Sequence, residues 1–491
     1  MASGGTSSLG RSGALLGVAK LWFLVSAYAI TVGLTHLVPP SVYGRYYVVA
    51  RIVAVPNLVL VYTMLFAVSR PMAAQFEAGV PAYFALRRRG VKLAAGLGGV
   101  VSLAFFAAAA PLARLLRDAD LAAPLAVVAP ISLVYALYAV NLGTLNALRR
   151  FPFQASLDIF MATTKAALIL GAAAAGASLA AVVGGFTAAS VLSLLLSVLL
   201  VARVGPPAGA DRSVQKAPPM AGFAGALVVF TICVNLLQSA DVLIVKRYVA
   251  SDLVGFYSSA QQVALVPLSL MNAVSLLLFP LVASLEGSGD RTKVAAYLSE
   301  TMRVATLLLA FMASVGAAAA PEIQALLFPR AYGTAAGDLR LLVWGFSGIG
   351  FAITMAWVLN STGRTRPALI VVALPLLAVG GLGLALVPAM GTAGAARTVL
   401  VAGGFAYVAA AWVLRRTFGA RVPAAGYLKV AVCAVAVTAV AAVLPPMSGA
   451  GVAGKLLIVA RLALLAAVFL GTAFVLRALT PDDLRRLRRG A

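Results

Sequence analysis

Charge of either sign is scarce in this chain, and acid is scarcest: 14 Asp and Glu stand against 38 Lys and Arg, and the four types together make 11% of 491 residues. A soluble domain carries about 25% charged residues, so this composition cannot clothe a water-facing surface. Histidine occurs once, as His36, and cysteine twice, as Cys233 and Cys433 in separate apolar runs. These absences argue against a histidine cluster, a disulfide framework and a metal site. No GxxxxGK[ST] segment is present, so direct use of ATP is not supported, and no cofactor is implied. No polar stretch is long enough to fold by itself; the longest interruptions are 70–91, 205–219 and 286–300. A membrane-embedded glycan polymerase would want a large external loop or acidic residues at a helix end. Neither is visible, so no catalytic residue is assigned.

What is present is apolar. Hydrophobic residues make 62% of the chain, and the mean hydropathy is +1.02. One bilayer span takes about 20 apolar residues. The runs here are continuous rather than alternating, which selects helices over a barrel. The sequence therefore predicts an all-α polytopic membrane protein of about 14 spans. They fall at roughly 13–38, 44–69, 92–115, 122–148, 153–177, 180–203, 220–246, 254–284, 301–319, 338–360, 367–388, 394–414, 427–444 and 454–477. Twelve spans stay compatible, because Gly171 to Ala181 is apolar throughout and the last pair is weakly delimited. Ala27-Tyr28-Ala29 mimics a signal-cleavage site, but the first run is too long for a signal peptide and reads as a retained span.

Basic residues orient the chain. With the N-terminus inside, about two-thirds of the Lys and Arg fall on the cytoplasmic side, among them Arg87, Arg88, Arg89, Arg149, Arg150, Arg415 and Arg416. Both termini are then cytoplasmic. The net charge of +24 reads as this orientation signal rather than as nucleic-acid affinity. Segments 70–91 and 286–300 read as short amphipathic helices on the cytoplasmic face. The tail holds Asp482 and Asp483, then Arg485, Arg486, Arg488 and Arg489, and is expected to bind anionic membrane lipids.

The chain repeats itself. Gly44, Tyr46, Val55 and Pro56 are matched in spacing by Gly255, Tyr257, Val266 and Pro267. At nearly the same separation, Leu145-Asn146 is matched by Leu359-Asn360. Two parallel six-helix bundles follow, 1–203 and 220–420, joined by a Pro/Gly-rich cytoplasmic linker, 204–219. Residues 421–491 add two helices and the basic tail. Such a pair of bundles implies a midplane cavity and alternating access.

Ionisable side chains inside spans cost at least about 2.5–3.5 kcal/mol and mark a cavity or a partner. Lys20, Arg51 and Lys165 are the deep bases; Asp158 and Asp241 are the deep acids. The repeat aligns Arg51 with Gln262, giving one polar position in each half. Asp158 lies two turns before Lys165, which suggests an ion pair between them. Lys246 and Arg247 read as interfacial, Arg461 as reaching the outer interface, and His36 as interfacial beside Pro39-Pro40. A base-rich cavity favours an anionic substrate such as a lipid pyrophosphate. Tyr28, Tyr135, Tyr138, Asn141, Asn235, Gln238, Gln261 and Gln262 are candidates for contacting a sugar. The substrate-binding set is thus Lys20, Arg51, Lys165 and Gln262; Asp241, ahead of Asp158, is the candidate for ion coupling.

The segments PPSVYGRYYVVARIVAVPNLVL, NALRRFPFQASLDIF and SADVLIVKRYVASDLVGFYSSAQQVALVPLSLMNAVSLLLFPLVASL carry a family resemblance. They resemble bacterial polysaccharide and O-antigen flippases of the multidrug/oligosaccharidyl-lipid/polysaccharide exporter superfamily. Asp241, Gly255-Phe256-Tyr257 and Phe279-Pro280 are its most specific points. The resemblance covers about 12–420 and implies translocation of undecaprenyl-pyrophosphate-linked oligosaccharide across the inner membrane of a bacterium, alongside polysaccharide assembly proteins. Fourteen-helix members, including peptidoglycan-precursor flippases, would account for 427–477. The alternatives left open are a cation-coupled multidrug-type exporter of the same fold, a peptidoglycan lipid-precursor flippase and, less favoured, a glycan polymerase.

Overall fold

The computed structural model describes residues 5–75, 79–214, 225–271, 282, 285–286, 290–444 and 451–479. Every regular element among them is helical. An apolar environment offers no water to a peptide group, so each span must satisfy its own backbone, and a helix does so within one segment.

The chain divides into two units, Met1–Asn235 and Leu236–Ala491. The first contains α1 (Gly5–Leu37), α2 (Pro40–Ala74), α3 (Tyr83–Leu115), the short α4 (Ala122–Val128), α5 (Ile131–Ala147), α6 (Phe151–Ala174), α7 (Leu179–Val204) and most of α8 (Gly225–Leu237). The second contains α9 (Ala240–Tyr248), α10 (Ser251–Ala264), α11 (Arg291–Ala318), the short α12 (Ala320–Leu327), α13 (Ala336–Ser361), α14 (Thr365–Phe418), α15 (Ala424–Val443) and α16 (Gly451–Val475).

Among the described residues, 11 helices are long and apolar enough to cross a membrane, or 12 if the pair Val228–Leu237 and Ala240–Tyr248, bent by 51°, is one span. The 54 residues of α14 would reach about 80 Å as one straight rod, far more than the ~30 Å of a hydrocarbon core. The helix breaks at Gly391, whose φ of 59° and ψ of −136° are not helical. Beyond the break it folds back so closely that a Cβ on Gly394 would sit 2.4 Å from the Leu386 carbonyl oxygen. Its two arms correspond to the expected spans 367–388 and 394–414.

Local signals explain most boundaries. Pro39 precedes α2, and Pro40 occupies its first turn, where a missing N–H costs nothing. Gly176 takes a φ of 69°, and the Ser178 side chain accepts from Ala181 N–H to start α7, which places the break in the apolar stretch 171–181. Asp290 accepts from Lys293 N–H to start α11, and that bond holds its carboxyl below the usual carboxylate range. Among the described residues, the parts 83–91 and 291–300 of the expected surface helices are not separate elements. α11 runs unbroken from Arg291, and α3 starts at Tyr83, before its basic cluster. Neither RTKVAAYLSE nor YFALRRRGVKL contains a proline or a break, so each simply continues into the following span. On the same side, residues 205–214 strap onto the α2–α3 turn: Asp211 N–H donates to Pro81 O at 3.0 Å, and the Arg212 guanidinium lies 5.1 Å over Phe84.

Membrane packing turns the usual pattern inside out. On α3 the large side chains Leu97, Val100, Leu103 and Phe106 are exposed, whereas Ala94, Gly98, Ser102 and Ala109 are buried. Lipid solvates Leu as well as protein does, so helix contacts select small residues that let backbones approach.

Helix pairing repeats between the units. In the first, α1 packs on α6, α2 on α5 and α3 on α5; in the second, α9 packs on α14, α10 on α13 and α11 on α13. One crossing shows the duplication with its parts exchanged. A Cβ on Gly33 of α1 would lie 2.6 Å from the Leu170 side chain of α6. In the second unit a Cβ on Gly383 of α14 would lie 2.8 Å from the Ile244 side chain of α9. Ile244 stands to Gly33 at the separation that relates Gly255 to Gly44. Glycine and the large residue have changed sides, and one of each is kept.

Candidate functional site

The first unit brings two of the deep charges together. Lys20 on α1 donates to Asp158 on α6 at 2.7 Å; the lysine side chain is 55% exposed, the aspartate 11%. The expected Lys165–Asp158 pair is therefore not made. Seven residues along a helix return nearly to the same face, but about 10.5 Å further along the axis, beyond the reach of a direct pair. Which base answers Asp158 is set by the packing of α1 on α6.

Lys165 instead places its Nζ 3.7 Å from the centroid of the Phe186 ring on α7. Tyr135 stands edge-on to the same ring at 6.3 Å and to Tyr138 at 6.4 Å. The Trp22 indole donates to Thr163 at 2.9 Å. Arg51 is held by Tyr47, one turn earlier on α2: its guanidinium donates to the phenol oxygen and lies 4.7 Å over the ring. Among the described residues, neither Arg51 nor Lys165 is matched by a carboxylate. A cation on an aromatic face keeps its charge and gains only about 0.5–2 kcal/mol, so it can still take up an anion. Nearer the basic end, Arg87 donates to Asn141 at 3.0 Å, and Asn141 donates to Ser197 at 3.0 Å. Sequence reading left Arg87 among the cytoplasmic charges; its place one position after Leu86, on the buried face of α3, was the available signal.

The second unit has its own polar centre. Asp241 is 2% exposed and sits in the first turn of α9, just past the break in the bent span. A negative charge is favoured at that end of a helix. It accepts from the Tyr257 hydroxyl at 2.7 Å and from Gln261 Nε2 at 2.7 and 2.8 Å. Both donors lie on α10, four residues apart and so on one face. Gln261 reaches the acid, and its neighbour Gln262, the residue aligned with Arg51, is half-buried.

Two bases do not sit where hydropathy put them. Lys246 is 4% exposed and donates to Ser251 at 2.6 Å, so it is buried rather than interfacial. Arg461 of α16 does not reach for the surface. It pairs with Glu322 of α12 and donates to Ala441 O at 3.1 Å and Leu444 O at 3.0 Å at the end of α15. Glu322 lies between the expected spans 301–319 and 338–360, and its signal in the sequence is an acid inside the apolar run APEIQALLF. In the first unit, Arg45 bridges Asp118 and Asp120, each at 2.7 Å. His36 is exposed at the end of α1, as an interfacial residue would be. The Phe279-Pro280 motif and the basic tail 482–489, expected to bind anionic lipid, lie outside the described residues.

Comparison with known proteins agrees with this architecture. Residues 92–336 match the model of a family described as polysaccharide biosynthesis protein. No curated protein matches the chain. Among solved structures, the lipid II flippase MurJ in an inward closed conformation is 12% identical and superposes with a TM-score of 0.72, covering 93% of this chain and 97% of its own. An inward-facing multidrug resistance MATE family transporter of the MOP superfamily is 13% identical, with a TM-score of 0.65 over 81% of this chain and 97% of its own. A MOP superfamily transporter from Pyrococcus furiosus, described by the reverse polarity of its binding pocket, is 14% identical, with a TM-score of 0.62 over 83% and 95%. The family match and the shared fold bear out the resemblance read in the sequence segments and the all-helical, multi-pass class.

Proposed function

From a multi-pass chain with the MOP-superfamily fold, matched over 92–336 to polysaccharide biosynthesis proteins, we propose a flippase that moves undecaprenyl-pyrophosphate-linked oligosaccharide across a bacterial inner membrane by alternating access. The observation that carries the reading is the pair Arg51 and Lys165: two cations within spans, each resting on an aromatic ring and neither matched by a carboxylate among the described residues. A lipid pyrophosphate must leave water to cross, and guanidinium and ammonium groups replace part of its hydration. A cationic drug would meet repulsion there, which disfavours the exporter reading. Lys20 already answers Asp158 and serves as a second, exchangeable partner for the anion. Tyr135, Tyr138 and Asn141 line the same unit and suit the sugar.

A peptidoglycan lipid precursor has the same charged group. It stays as the second reading because the lipid II flippase structure covers 93% of this chain. One experiment separates them: delete the protein and identify the lipid-linked sugar held on the inner leaflet. An oligosaccharide repeat supports the first reading, lipid II the second. If neither accumulates and purified protein in vesicles moves neither, the flippase reading fails. Both termini are placed in the cytoplasm; a C-terminal reporter active only in the periplasm would reverse that orientation.

For energy coupling the candidate stays Asp241. Asp158 is held by Lys20, whereas Asp241 joins α9 to α10 through Tyr257 and Gln261. A change in its charge would alter that joint, as alternating access requires of a coupling group. In vesicles with an imposed proton or sodium gradient, Asp241→Asn is expected to transport without responding to the gradient. A variant that responds as the wild type does places the coupling elsewhere.

A further inference from the structure

At the span end that joins α14 to α15 lies a cavity of about 490 Å³, lined by Arg415, Arg421, Val422, Pro423, Ala424 and Tyr427. The loop that shapes it is held in place. Gly419 ends α14 with a φ of 72°, its N–H donating to Arg415 O at 3.0 Å, and Ala420 is fully buried. Arg421 N–H donates to Ser299 Oγ on α11 at 3.0 Å, and Pro423 leads directly into α15. Tyr427 stacks edge-on to Tyr407 at 6.3 Å.

The acids on this face are already taken. Glu300 receives two bonds from Arg303, at 2.9 and 2.6 Å, and Glu286 is paired with Arg364. Arg303 also donates to Ala478 O at 2.7 Å. Among the described residues, no carboxylate answers Arg415 or Arg421. Two guanidinium groups therefore share one preformed hollow with an apolar floor. The α14 carboxyl end gives an ordinary reason for Arg415, since cations are favoured there. That reason does not extend to Arg421, which stands three residues beyond the helix and whose backbone is fixed to α11.

We propose that this cavity binds the phosphate of a lipid head group, the two guanidinium groups taking the phosphate oxygens and Val422, Pro423 and Ala424 facing its glycerol or isoprenoid stem. Position fits the ligand: the cavity opens where a span leaves the hydrocarbon, the depth at which head-group phosphates lie. Forked guanidinium donors match phosphate geometry better than ammonium groups do. In the orientation proposed above, this is the cytoplasmic leaflet. The binding itself needs only a membrane-spanning fold and stands apart from the transport reading.

Two lipids offer this chemistry, an anionic phospholipid and a polyprenyl diphosphate. The test uses the full-length protein in phosphatidylcholine nanodiscs, titrated separately with phosphatidylglycerol and with undecaprenyl diphosphate, and read by native mass spectrometry. Wild type is compared with Arg415→Gln/Arg421→Gln and with Arg88→Gln/Arg89→Gln, which removes two exposed charges elsewhere. Loss of the two lining arginines is expected to weaken binding about 30-fold, roughly 1 kcal/mol for each basic group, while the control pair binds as the wild type does. If only phosphatidylglycerol shows the loss, the occupant is a phospholipid; if only the diphosphate shows it, the occupant is the carrier lipid. Val422→Trp, which fills the hollow and keeps both arginines, should weaken the same lipid. Equal binding by wild type, the arginine variant and Val422→Trp overturns the proposal, as does an equal loss in the control pair.

Discussion

A chain carrying Arg51→Gln and Lys165→Met together is expected to insert and fold as the wild type does, yet to translocate its lipid-linked substrate at least about 100-fold more slowly. Each charge-assisted bond to a phosphate oxygen contributes about 1.5–3 kcal/mol, and each 1.36 kcal/mol is about tenfold in rate. The native fold gives up little, because both groups contact aromatic rings, Tyr47 and Phe186, rather than acids. No buried counter-charge is orphaned by removing them. The assay is fluorescent lipid-linked oligosaccharide transport in proteoliposomes, with thermal unfolding in detergent as the check on folding. Undiminished transport would remove the cationic interior from the mechanism. Single replacements should each give an intermediate loss, and Lys165→Arg should keep most of the rate.

The second large effect is on stability, in the other unit. Arg461 and Glu322 have side chains 4% and 2% exposed. Removing one partner of a buried pair strands the other, at a cost of about 3–5 kcal/mol. Glu322→Gln and Arg461→Met alone should each lower the unfolding temperature by several degrees. The double variant should recover most of the loss, because two neutral side chains of similar size leave no uncompensated charge. Arg461 also donates to Ala441 O and Leu444 O, so Arg461→Met frees two carbonyls at the end of α15 and should be the worse single change. Single variants that unfold at the wild-type temperature would show the pair to be inert. A double variant no better than the singles would assign the effect to those carbonyls.

The helical, multi-pass class was legible because hydropathy is a property of single residues summed over a window, and a bilayer filters segments one at a time. The repeat was legible for a related reason: a glycine and a proline at matched spacing survive duplication, as Gly44 and Pro56 do against Gly255 and Pro267. The helix pairing then follows twice over, α2 on α5 and α10 on α13. Even the reversal at Gly391 had a local cue, since a run of that length exceeds the bilayer.

Partner choice was not legible. Asp158 pairs with Lys20, distant in sequence, rather than with Lys165 on its own helix; Asp241 takes Tyr257 and Gln261 from the next helix; and Arg461 turns inward to Glu322 instead of outward to the interface. In each case the deciding quantity was which helices touch and at what rotation. A shift of one residue turns a side chain by about 100° around the axis, so neighbours in sequence face different partners. Burial of a charge records contacts between segments, and no window of sequence contains both segments.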